Sequence, residues 1–187
     1  MKHPRNGIVL TVLCTLVHLT SPGNVDAQAV AKGYQDKLAE GIAHRDAGRL
    51  DRAAAAFSDA IALDASLLQA HYDLAEVRRM AGDFKGAFEA LTELERRAKV
   101  QGDAWMEGRA LIGMAVTHER TRDIGRAREM WLKVLAFADG HGDTAVDPKV
   151  ARARIQVIDE LLEREQVYIA VRERIAERQR KNQEASP

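Results

Sequence analysis

Apolar residues along this chain recur at steps of three and four, the spacing that gathers one face of an α-helix. The pattern resolves into paired segments at about 29–47 and 50–63, 66–80 and 83–99, and 104–121 and 123–138. Gly48 and Gly82 separate the members of the first two pairs, where a helix can end in the left-handed conformation that glycine adopts without steric cost. Asp51 and Asp83 open the second segments of those pairs, at the helix end whose dipole favours an acidic side chain. The fold class this predicts is all-α.

A glycine-rich break follows at Gly140-His141-Gly142-Asp143-Thr144, and Asp147-Pro148 then reads as a helix start, with Asp as N-cap and Pro in the first turn. The last helix is expected over 148–181, carrying Ile155, Ile158, Leu161, Leu162, Tyr168, Ile169 and Ile175 as an apolar stripe. Its first half is expected to cover the preceding pair. Beyond Tyr168 the segment is rich in Arg and Glu and reads as a solvated helix end laced with i,i+4 pairs, since the stripe is not sustained for the three or four heptads of a coiled coil. Residues 182–187 read as a disordered tail.

The chain also repeats itself. Gly48, Leu50, Ala53, Phe57 and Ala60 return 34 residues later as Gly82, Phe84, Ala87, Leu91 and Leu94, and Gly41 is matched by Ala75 at the same offset. A third unit stands 40 residues further on, where Met114, Ala115, Ile124, Ala127, Trp131 and Val134 answer Leu74, Ala75, Phe84, Ala87, Leu91 and Leu94. The six additional residues are expected in a longer connection over Lys99–Ala104. Small residues at Gly41, Ala53, Ala60, Ala75, Ala87, Ala115 and Ala127 would let helix backbones approach, while Phe57, Leu91 and Trp131 fill the space between units.

This pattern resembles the tetratricopeptide repeat (TPR) family over about residues 34–141, in units at about 34–67, 68–101 and 108–141. The resemblance implies a right-handed superhelix of antiparallel hairpins, here with a long C-terminal capping helix. The repeats are degenerate: Glu40 stands where the family has a large apolar residue, the closing proline is absent, and Arg122 replaces the turn glycine of the third unit. The resemblance further implies a partner-binding groove lined by the first helix of each unit. Carried over by position, its residues are Leu38, Ile42 and Arg45, then Tyr72, Glu76 and Arg79, then Ile112, Val116, Glu119 and Arg120. The Lys and Asn arrangement with which some members grip a chaperone's C-terminus is missing, which disfavours a cytosolic chaperone adaptor.

The first residues read as an address. Lys2, His3 and Arg5 precede an apolar stretch from Ile8 to Leu19, Ser21-Pro22-Gly23-Asn24 are expected to break the helix, and Val25-Asp26-Ala27 suits a signal peptidase. Residues 1–27 are therefore expected to be a signal peptide cut after Ala27, leaving a periplasmic or secreted chain with no membrane insertion. The apolar run is short of the roughly 20 residues that span a bilayer, and Leu13 before Cys14 is too large for a lipidation motif.

Composition narrows the chemistry. Lys plus Arg and Asp plus Glu are equal at 28 each, so no net field favours nucleic acid. Cys14, the only cysteine, would leave with the leader, removing disulfide, thiolate ligand and thiol nucleophile together. His44, His71 and His118 lack metal-site spacing and read as packing residues. No nucleophile elbow, phosphate loop or nucleotide fingerprint is present, so the expectation is a non-enzyme with no metal or cofactor. Its partner would be another protein of the cell envelope. The alternative is a self-assembling structural protein that forms a homo-oligomer through its C-terminal helix.

Overall fold

The structure, a computed structural model, describes residues 22–142 and 145–184. Those residues form seven helices: α1 (Pro22–Asp46), α2 (Leu50–Leu63), α3 (Leu68–Met80), α4 (Phe84–Gln101), α5 (Ala104–Arg120), α6 (Ile124–Gly140) and α7 (Pro148–Glu184). The expected leader before residue 22 lies outside the described residues, and the Ala27–Gln28 bond falls within α1.

Helix α1 begins earlier than the sequence suggests. Pro22 occupies its first position, where a missing amide hydrogen costs nothing and a fixed φ suits the helix, so Pro22-Gly23-Asn24 initiate α1 instead of breaking it. At the other end of the chain α7 continues through Asn182 to Glu184, into the stretch expected to be a tail.

Helices α1/α2, α3/α4 and α5/α6 form hairpins, and α2/α3 and α4/α5 join them into one stack. All three hairpin turns are built alike. The Gly48, Gly82 and Arg122 amides donate to the Arg45, Arg79 and Glu119 carbonyls, and the next residue's amide reaches one residue further back, to His44, Arg78 and His118. Gly48, Gly82 and Arg122 take φ of +71°, +81° and +58°, so Arg122 holds a conformation that its two counterparts reserve for glycine. Asp83 and Asp123 then cap α4 and α6 by accepting from the Gly86 and Arg126 amides at 2.9 and 3.2 Å, Asp103 between hairpins caps α5 by accepting from the Met106 amide at 2.9 Å, and Arg49, at the matching place before α2, supplies no side-chain cap.

The six additional residues are taken up differently from the expected longer connection. Four residues join α2 to α3, but only Gly102 and Asp103 join α4 to α5. Helices α4 and α5 have 18 and 17 residues against 14 and 13 for α2 and α3. Lys99, Val100 and Gln101 continue the helix until Gly102, at φ +70°, ends it. The insertion lengthens rods, and the third hairpin starts at Ala104, ahead of the boundary near 108.

The crossings use the small residues of the repeat. Ala53, Ala60, Ala87, Ala115 and Ala127 are fully buried, and a Cβ on Gly41 would lie 2.5 Å from the Phe57 ring. Residues 71–80 and 111–120 are buried, half-buried and exposed in the same order, so the 40-residue register carries through to packing. At the C-terminal end α7 closes the stack: Ala151 and Ile158 are buried, and Ile155 and Leu162 join the same core against α6. Asp159 accepts from Arg128 of α6 at 2.5 Å and Asp139 of α6 accepts from Arg152 at 3.2 Å. From Glu163 to Glu184 every residue of α7 is exposed.

Candidate functional site

The first helices of the three hairpins stand side by side, and a cleft of about 720 Å³ opens where α1, α3 and α5 meet. Its floor carries a buried carboxylate. Asp73 accepts from Gln69 Nε2 at 2.8 Å, one helical turn earlier on α3, and from Arg45 Nη1 of α1 at 3.4 Å. Burial raises the Asp73 pKa above the usual carboxylate value, while the Gln69 hydrogen bond and the Arg45 and Arg109 charges act against that.

The walls are mixed. The Arg109 guanidinium lies over the Tyr72 ring, 3.5 Å from its centroid, a cation–π contact that fixes both side chains at the mouth. Glu76 accepts from Arg79 Nε at 3.3 Å within α3. Ile42 lines the α1 side, and Met80 stands 54% exposed at the end of α3. The arrangement offers aliphatic and aromatic surface flanked by fixed charges of both signs, which suits a peptide segment with an apolar anchor. Among the described residues no group of three His, Cys, Asp or Glu stands close enough to hold a metal ion.

Solved structures share the fold of this helix stack. The N-terminal domain of stress-induced protein-1 (STI-1) from C. elegans superposes with a TM-score of 0.61 at 14% identity, over 70% of this chain and 98% of that one. The Arabidopsis OM64 TPR domain gives 0.54 at 12% identity, again over 70% of this chain and 98% of that one. This is a tetratricopeptide-like fold. No family model matches the chain, and no curated protein matches it.

In the tetratricopeptide-like stack the ten expected groove residues divide. Ile42, Arg45, Tyr72 and Glu76 line the cleft. Arg79 reaches it only through Glu76, and Leu38 packs with Phe57, Tyr34 and their neighbours. Ile112 and Val116 are half-buried against the main core, and Arg120 is exposed. Glu119 is committed elsewhere: it accepts from Trp131 Nε1 of α6 and from Arg154 of α7, each at 2.6 Å, and so ties the cap to the last hairpin.

Asp46, Gln69, Asp73, Met80 and Arg109 line the cleft without having been expected there. The repeat held the signal. Gln69 and Arg109 are counterparts at the 40-residue offset, and Gln69, Asp73, Glu76 and Met80 follow one another at three- and four-residue steps on one helix face. His44, His71 and His118 each have a close partner in the stack. His118 lies 4.5 Å from Phe88 between ring centroids, His44 Nδ1 accepts from Arg49 at 3.0 Å, and His71 Nε2 contacts the Ala65 carbonyl at 3.2 Å.

Proposed function

We propose that this chain is a non-catalytic interaction scaffold of the cell envelope, exported by its N-terminal leader, which holds a segment of a partner protein in the cleft between α1, α3 and α5. The observation that carries this reading is the Tyr72–Arg109 pair: an aromatic face and a cation fixed beside an exposed methionine and a buried Asp73 that a half-buried Arg45 reaches. Tyr and Arg are the residues on which binding energy most often concentrates, and here they are held in place before any partner arrives. The charges of both signs would orient the bound segment, while Ile42 and Met80 accept its apolar side chains.

The test is capture from the native envelope by the tagged protein and by a Tyr72→Ala, Arg109→Glu variant. A partner bound by the first and released by the second supports the cleft. Capture that is identical for both, with the variant folded, removes it.

A further inference from the structure

Beside the face that packs on α6, α7 carries a second apolar stripe, which begins at Val157 and Leu161, at the edge of a cleft they share with Glu119 and Ile124, and runs into the exposed half of the helix. Val157, Leu161, Tyr168, Val171 and Ile175 are 44–68% exposed. Their steps of four, seven, three and four, with Arg164 filling the one gap, are those of a heptad seam. On a helix this seam lies about 130° around from Ala151, Ile155, Ile158 and Leu162, which the stack already covers. Exposed apolar residues in a row of this length on a helix call for a partner.

The charges beside the seam state what that partner is. Over residues 159–165 four acidic residues, Asp159, Glu160, Glu163 and Glu165, outnumber Arg164, and over 172–184 five basic residues, Arg172, Arg174, Arg178, Arg180 and Lys181, outnumber Glu173, Glu177 and Glu184. Two copies in parallel would set Arg164 against Arg164 and Arg178 against Arg178 in the seam, and Glu160 beside Glu165 on its flank. Reversing one copy removes all three conflicts. In the register that sets Tyr168 against Val171, Arg164 meets Ile175, Glu165 faces Arg172 and Glu160 faces Lys181, each twice by symmetry.

We infer that a second copy of this chain covers the stripe, through an antiparallel pairing of the two α7 helices centred between Tyr168 and Val171. The pairing leaves the cleft open in each copy, because the seam lies on α7 and the cleft on α1, α3 and α5.

Sedimentation velocity over a concentration series, on protein purified after expression of the full chain, is the measurement. A dimer is expected. Tyr168→Glu with Val171→Glu should yield monomer with unchanged helical content, since both side chains are exposed and outside the core. Glu165→Arg and Arg172→Glu, made separately, should each weaken self-association about tenfold, because each sets like charges opposite each other twice. Mixed together, those two variants should dimerise again, because across a mixed pair the facing charges at positions 165 and 172 are once more opposite in sign. A monomer at every concentration overturns the inference. So does a dimer that survives the Tyr168, Val171 change, a mixture that fails to recover, or a dimer dissolved by Tyr72→Ala, which would place α7 in a neighbour's cleft.

Discussion

The Tyr34 hydroxyl of α1 accepts a hydrogen bond from the Ala70 amide at 3.2 Å, and so performs from another hairpin the office of an N-cap for α3. Leu67, at the N-cap position, supplies no side-chain acceptor. Both Tyr34 and Ala70 are buried, so without the hydroxyl this amide has no water to turn to. Tyr34→Phe should therefore cost about 1–2 kcal/mol. Leu67→Ser, which places an acceptor within reach of the same amide, should recover much of that loss when combined with Tyr34→Phe. Urea unfolding of the four-member cycle reads the coupling, and strictly additive effects would contradict the capping role.

Backbone strain at Arg122 gives a prediction of opposite sign. A non-glycine residue in the left-handed region costs about 1 kcal/mol, partly offset by the freedom glycine brings to the unfolded chain. Arg122→Gly should stabilise the protein by about 0.5 kcal/mol. Gly82→Ala, at the matching turn with open space around the added methyl, should destabilise it by about 1 kcal/mol. Thermal unfolding midpoints moving in the same direction for both would refute the strain argument.

Acid should loosen the second hairpin through His71. Burial depresses the His71 pKa below 6.5, and the Arg97 charge adds to this, while the Ala65 carbonyl and Glu93 oppose it. The folded state thus binds this proton less readily than the unfolded chain. The stability concerned is fully present above pH 6.5, the unfolded value, and is lost as pH falls towards the depressed one. In His71→Gln the drop in unfolding midpoint between about pH 7.5 and pH 5.5 should shrink. An unchanged slope assigns the effect to other groups, His118 first among them, since burial lowers its pKa as well.

The hairpins were legible because their periodicity and their turn glycines are local signals. Gly41 could be marked as a crossing point from the repeat alone, although its neighbour, the Phe57 ring, became visible only in three dimensions. The fate of the six additional residues was not legible: helix formers at Lys99–Gln101 permit either a loop or more helix, and the choice falls to the Gly102 turn and the Asp103 cap. The partners of Glu119 were not legible for a different reason. Its position in the repeat points to the groove, but its partners Trp131 and Arg154 lie 12 and 35 residues away, and a tertiary pull of that kind leaves no trace in periodicity. Asp73 shows the converse, since its companions Gln69 and Arg45 matter only once α1 and α3 stand side by side.

The fastening of α7 to α6 has a consequence for how this architecture could change. A repeat array grows when a duplicated hairpin docks on the last one, and here the docking surface is already occupied by Ala151, Ile155, Ile158 and Leu162 and locked by the Glu119–Arg154 pair. An extra unit at that end would have to evict the cap before it could stack. The surface that remains adjustable without such an eviction is the length of the rods themselves, the route by which α4 and α5 took in their extra residues.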